Sequence, residues 1–312
     1  MNKWSIDITS YALPGQGQRG TELWRVVRQS TGPTLAQNEI HLWCAHLDKF
    51  IPSAPELYRV LSHGERTRAQ SFQFHKDRDS FVIQTGLLRH LLSGYLPVSP
   101  AEFEFVRGPF GKPELVAAPG EARLHFNMSH SRAMALYAFT CATPVGVDIE
   151  RIGPMADLEN IARIFFTPRE TTALSALPDT SRLETFFNCW TRKEAVLKAT
   201  GQGIREGVDG VEVNVATDEP ARVLSIKGDA SAARGWSLHS LHPVAGYTAA
   251  LAYQRPELEL VCCVLHPGMP AKRLSSTRKF SSDWVSSGSA EASDYHGAHW
   301  NATAGRRPAN GT

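Results

Sequence analysis

The sequence predicts an α+β fold of two halves, each combining helices with a small antiparallel sheet. Three observations predict it. Short runs of alternating apolar and polar residues recur through the middle of the 312-residue chain. Two longer stretches, Ser62 to Leu92 and Leu158 to Thr200, carry apolar residues at helical spacing instead. Both kinds of segment occur on either side of a boundary near Thr143-Pro144. The length suffices to bury a sizeable core.

The elements follow in order. Glu39 to Ala45 reads as a strand, with Ile40, Leu42 and Cys44 alternating against their neighbours. Ser62 to Leu92 is mostly helical, with Phe81, Leu88 and Leu92 on one side. Pro97 and Pro100 end that region, and Glu102 to Val106 alternates as a strand. Leu124 to Asn127, Ala133 to Thr140 and Val145 to Glu150 are further strands, the second opening after a Ser-His-Ser turn. Helices are expected at Leu158 to Phe166, Arg169 to Leu177 and Arg182 to Thr200, the last stopped by Gly201 and Gly203. Val211 to Val215, Val223 to Ile226, Trp236 to Leu241, Tyr247 to Tyr253 and Glu259 to Leu265 complete the strands. The first half spans 39–143 and the second 144–266. An N-terminal extension, 1–38, is weakly patterned, and from Gly268 to Thr312, 20 of 45 residues are Ser, Gly or Ala, the composition of a disordered tail.

Lys and Arg number 33 against 31 Asp and Glu, so neither nucleic acid nor an anionic membrane is an expected partner. The tail holds six of the basic and three of the acidic residues, leaving the body at 27 − 28 = −1. The five cysteines are widely spaced, with no C-x-x-C, which fits buried free thiols rather than a disulfide or zinc framework. No apolar run reaches membrane-span length and the N-terminus carries no signal-peptide pattern, so a soluble cytoplasmic protein is expected.

Four motifs carry chemistry. In Gly146-Val147-Asp148-Ile149-Glu150, strand alternation places Asp148 and Glu150 on one face. Two neighbouring carboxylates suit a hard cation such as Mg²⁺, although a half-exposed strand with a polar face reads the same way. On the long helix, Phe187, Trp190, Glu194 and Leu197 form one stripe, so Glu194 points with apolar residues and needs a partner. Lys198 lies four residues on, as it would in a plain surface ion pair. Arg107-Gly108-Pro109-Phe110-Gly111-Lys112-Pro113 lacks the spacing of a nucleotide-hydrolase phosphate loop. It is a rigid turn presenting Arg107 and Lys112 beside an aromatic, fit for a phosphate with a flat base or for nothing more than a hairpin. In Asn127-Met128-Ser129-His130-Ser131 no serine-hydrolase elbow is present, so Ser129 and His130 read as phosphate donors or as turn residues. The basic residues Arg66, Arg68, Lys76, Arg78 and Arg89 read as solvated helix faces.

The order and spacing of these motifs, from Gly111-Lys112-Pro113 through Phe126 to Ser131, Gly146 to Glu150, and Trp190 to Lys198 with Gly201-x-Gly203, resemble the 4′-phosphopantetheinyl transferase superfamily. The resemblance covers roughly residues 40 to 265 and is nearer to the larger, single-chain, surfactin-synthetase-activating branch. It implies a pseudo-dimer of two similar α/β halves with the active site in the cleft between them. It implies Mg²⁺-dependent transfer of the phosphopantetheine arm of coenzyme A to a serine of an apo acyl or peptidyl carrier protein, releasing adenosine 3′,5′-bisphosphate. Asp148, Glu150 and Glu194 fall at the family's magnesium positions; the chemistry of phosphoryl transfer to a serine makes Glu194 the candidate base, directly or through a water, and Lys198 the group that stabilises the developing negative charge. Lys198 also matches a phosphate contact, Lys112 and Pro113 the adenine-nucleotide loop with Arg107 beside it, Ser129 and His130 a phosphate site, and Arg68 a contact to the 3′-phosphate. Two other readings use the same residues: another Mg²⁺-dependent phosphodiesterase or nucleotidyl transferase, and a non-catalytic coenzyme A-binding protein.

Overall fold

Strand β1 (Glu39–His46) is the axis of the first sheet. It pairs antiparallel with β5 (Met134–Thr140) and, on its other edge, parallel with β11 (Glu259–Leu265), so that Leu42 opposes both Ala138 and Cys262. Strand β4 (His125–Ser131) adds to β5 and completes the order β11-β1-β5-β4. The second sheet is antiparallel: β6 (Val145–Arg151), β10 (Tyr247–Tyr253) and β9 (Ser237–Leu241), in that order. Two short ribbons, β2 (Phe105–Arg107) with β3 (Pro113–Leu115) and β7 (Val211–Val213) with β8 (Val223–Ile226), flank them. The computed structural model describes residues 34–108, 111–116, 123–201, 207–216, 219–255 and 258–267, all within one compact unit. The expected disordered tail from Gly268, and residues 1–33 of the expected N-terminal extension, lie outside the described residues.

Alternation along the strands builds a four-layer stack. Ile40, Leu42, Met134, Leu136, Val145, Val147, Ile149, Ala249 and Leu251 form an apolar layer between the two sheets. On the outer face of the first sheet, Trp43, Tyr137 and Phe139 pack on α1 (Ala54–Arg59) and α3 (His75–Tyr95). On the outer face of the second, Ala250 and Ala252 pack on α6 (Asp179–Thr200), backed by α4 (Leu158–Phe165) and α5 (Pro168–Ser175). Burying both faces of both sheets removes their apolar side chains from water, the dominant favourable contribution to folding. Helix α6 is covered on every side from Thr185 to Leu197, far more than the single apolar stripe in its sequence implies.

Several local expectations are corrected. The stretch from Ser62 to Leu92 is two helices, α2 (His63–Gln70) and α3, with a break that brings Phe72 to 5.5 Å from Phe81. A Ser99/Glu102 capping box with Pro100 turns the start of the expected strand at Glu102 into a 3₁₀ turn, leaving only Phe105–Arg107 extended. Ser129-His130-Ser131 is strand, not turn: Ser131 still pairs with Met134, and the chain reverses at Arg132, which takes a φ of 52°. Ser129 and Ser131 are compatible with a strand because their hydroxyls bond across to β6. A 3₁₀ turn over Leu47–Ser53, α1 and β3 are short segments with no periodicity long enough to predict. All five cysteines are free thiols, and among the described residues no helix is long and apolar enough to cross a membrane.

A buried ion pair orients α6. Lys193 and Glu170 are both essentially inaccessible, with Nζ 2.6 Å from Oε2. Glu170 is also the capping-box residue of α5, accepting from Thr167 N–H at 2.8 Å, while its other oxygen accepts from Val213 N–H at 2.8 Å. One carboxylate thus joins α5, α6 and β7. Glu170→Ala strands the Lys193 charge and is expected to cost about 3–5 kcal/mol in urea unfolding. Replacing both residues by methionine is expected to recover most of that loss.

Candidate active site

The site lies where the edge strands β4 and β6 meet the last turns of α6. Gly146 makes the approach possible. A Cβ built there would stand 2.0 Å from the Ala195 carbonyl oxygen and 2.3 Å from Ala199 N, so β6 touches the helix backbone itself. Because Val147 and Ile149 face the layer between the sheets, Gly146, Asp148 and Glu150 face the helix side.

Lys198 reaches back along α6 into this seam. Its Nζ donates to Asp148 Oδ1 at 2.6 Å and to Ser129 Oγ at 2.9 Å, and Ser129 Oγ–H donates to the same Oδ1 at 2.8 Å. Burial pulls the Lys198 pKa down, but the negative charge of Asp148, Glu194 and Glu150 outweighs it and holds the ammonium above its ordinary value. Burial pushes the Glu194 carboxyl up to about 7, against Lys198, with Asp148 adding to the rise. Glu150 is likewise pushed up to about 7, by burial first and then by Asp148, while the Ser131 hydroxyl, 2.8 Å from Oε2, opposes the rise.

Asp148 Oδ2 and Glu194 Oε1 are buried and have no hydrogen-bond partner among the described residues. Orphaned carboxylate oxygens cost free energy unless something positive reaches them. Among the described residues, no three His, Cys, Asp or Glu side chains are gathered as a ready-made metal cage, and the Lys198 ammonium is bonded to Asp148 Oδ1. The donor chemistry still fits a hard divalent cation: carboxylate oxygens, two of them unpaired, with the Glu150 and Glu194 carboxyls pushed up by burial first and then by the Asp148 charge.

The structure therefore brings Ser129, Asp148, Glu150, Glu194 and Lys198 together. The other expected site residues are engaged elsewhere. The Lys112 ammonium donates to the carbonyls of Val145, at 3.0 Å, and Lys198, at 2.6 Å, so this side chain ties the β2–β3 ribbon to the C-terminus of α6. Cations are favoured at that end of a helix, and burial lowers this one to about 8. Pro113 pairs with Arg107 across the ribbon, and Arg107 donates to the Gly111 carbonyl at 3.1 Å. Pro109, Phe110 and Gly203 lie outside the described residues. Arg68 is exposed at the end of α2, its guanidinium 5.0 Å from the Phe81 ring centre. Alternation along β4 puts His130 on the opposite face from Ser129. Sequence reasoning missed Asn127, Ser131, Glu170 and Lys193. The motif Asn127 to Ser131 and the capping-box pattern from Thr167 to Glu170 are the available signals.

A lysine and a serine converge on buried acids at the junction of a helix and two sheet edges. The model of the 4′-phosphopantetheinyl transferase superfamily matches residues 144–252, and that of the 4′-phosphopantetheinyl transferase N-terminal region matches residues 50–141. The 4′-phosphopantetheinyl transferase HetI of Nostoc sp. is 39% identical over 219 residues, 70% of this chain and 89% of HetI. The transferase psf-1 of Bacillus pumilus is 32% identical over 53% of this chain and 69% of its own. The transferase Sfp of Bacillus subtilis is 28% identical over 51% of this chain and 68% of its own. The chain belongs to the 4′-phosphopantetheinyl transferase superfamily, in its larger single-chain branch, and is an enzyme of that type.

Proposed function

We propose that this enzyme moves the 4′-phosphopantetheine arm of coenzyme A onto a serine of an apo acyl or peptidyl carrier protein in a Mg²⁺-dependent reaction, acting as a monomer. The observation that carries the reading is the pair of orphaned buried oxygens, Asp148 Oδ2 and Glu194 Oε1, beside the Lys198 ammonium. Asp148, Glu150 and Glu194 would hold the cation, whose chemistry is to neutralise charge on the pyrophosphate and on the leaving bisphosphate.

The chain's own residues do the rest. The carrier serine oxygen attacks the phosphorus that bears the pantetheine arm, and the bond from that phosphorus to the bridging oxygen breaks. Adenosine 3′,5′-bisphosphate leaves with the electron pair. Glu194, directly or through one water, takes the serine proton. Lys198 holds its positive charge where negative charge develops, and α6 keeps both groups on one rigid element. Ser129 fixes one Asp148 oxygen, which leaves the other directed away from the lysine.

Incubation with coenzyme A, Mg²⁺ and a panel of apo carriers, read by intact mass, tests the reading. The expected result is a phosphopantetheinyl mass gain on at least one carrier and none in EDTA. Coenzyme A hydrolysis without any carrier gain would favour a phosphodiesterase and overturn the proposal.

A further inference from the structure

We propose that Ser131 is a positioning residue for the transfer reaction, aiming the Glu150 carboxylate into the acidic cluster; this rests on the reading of Asp148, Glu150 and Glu194 as cation ligands. Strands β4 and β6 are the edges of different sheets and share no backbone ladder in the sheet orders. Their seam is bridged by side chains instead. Asn127 Oδ1 accepts from Val147 N–H at 2.8 Å, Ser129 Oγ–H donates to Asp148 Oδ1 at 2.8 Å, and Ser131 Oγ–H donates to Glu150 Oε2 at 2.8 Å. Residue numbers rise together on the two strands, and Ser129 to Ser131 is the same two-residue step as Asp148 to Glu150. A row of three small polar residues on one strand face therefore meets the acidic face of the other in register.

The direction of the Ser131 hydroxyl is determined. It accepts from Arg151 N–H at 3.1 Å, and because the ionised Glu150 carboxylate can only accept, its own proton goes to Glu150 Oε2. That contact fixes one carboxylate oxygen of Glu150 and with it the direction of the other. Glu150 is longer than Asp148 and only partly buried, so its side chain has room to turn towards solvent without an anchor. Ser129 gives Asp148 the same kind of anchor but also touches Lys198. Ser131 touches neither Lys198 nor Asp148 in its hydrogen bonding, which makes it the cleaner position to test.

The test compares wild type, Ser131→Ala and Ser131→Thr for Mn²⁺ affinity by electron paramagnetic resonance and for coenzyme A affinity by calorimetry in EDTA. Ser131→Ala is expected to weaken Mn²⁺ binding by about tenfold or more, the usual effect of removing a partner of a metal-ligating group. Coenzyme A affinity and the melting temperature stay near the wild-type values, and Ser131→Thr restores Mn²⁺ affinity by returning the hydroxyl. Unchanged Mn²⁺ affinity in Ser131→Ala would overturn this proposal alone. A wild-type chain whose Mn²⁺ affinity is indifferent to Asp148→Ala would overturn the ligand reading and this proposal together.

Discussion

Gly146→Ala is expected to destabilise the chain by about 3 kcal/mol or more and to reduce transfer by at least about 100-fold. The added methyl would lie 2.0 Å from Ala195 O, 2.3 Å from Ala199 N and 2.9 Å from Lys198 C. All three are backbone atoms, so no rotamer change relieves the clash. Either β6 or α6 must shift by more than an ångström, and that shift carries Asp148 away from Lys198. Overpacking alone costs about 1–3 kcal/mol, and here it also disturbs the 2.6 Å ion pair. Urea unfolding and a single-turnover transfer assay check the two halves of the expectation. A variant with the wild-type midpoint and rate would show that the helix and strand are not packed backbone to backbone.

Glu194→Gln is expected to lower the maximal transfer rate by about 10²–10⁴-fold, the range for loss of a general base. In the wild type at limiting Mg²⁺ the rate should rise with pH through about 7, where the cation-free Glu194 and Glu150 carboxyls lose their protons, and then level off. The glutamine variant should lose much of that dependence. A variant that binds coenzyme A and metal normally and keeps the full rate would exclude Glu194 as the base. Stability has the opposite sign. Both carboxyls have folded pKa values of about 7, above the ordinary 4.5. The stability they contribute is therefore complete below about 4.5 and lost as pH rises through about 7. A cation binds the deprotonated form, so the rise in melting temperature on adding Mg²⁺ should be larger at about pH 8 than at about pH 6. Equal rises at both pH values would argue against protons and Mg²⁺ competing for this cluster.

Much of this site is legible in one dimension because it is built on two regular elements. Period-two alternation is enough to put Asp148 and Glu150 on one face of β6. Helical spacing is enough to send Glu194 inward among Phe187, Trp190 and Leu197, all of which are buried. A glycine after the last helical residue predicts the end of α6, and Gly201 takes a φ of 73° there. Lys112 shows the limit. Its turn suggests a phosphate contact, and nothing in the turn announces the bonds its ammonium makes to the carbonyls of Val145 and Lys198, the second 86 residues away in sequence. Ser129 and Ser131 show the same limit from the other side. Small polar residues before a reversal read as turn, and only the neighbouring edge strand explains why they are extended.

The sequence by itself determined the α+β class, most of the strand and helix positions and the order of the acidic and basic motifs. Local periodicity and capping are short-range physics, and one chain segment carries them whole. The tertiary structure alone decided that β11 returns to lie parallel to β1, that α6 is buried on every side, and that Asn127, Ser129 and Ser131 join two sheets across β6. These are contacts between segments far apart in the chain, fixed by the packing of two sheets whose edges must be satisfied by whatever side chains meet there. That packing also leaves Asp148 Oδ2 and Glu194 Oε1 buried and unpaired, a property of the junction that neither strand nor helix carries alone.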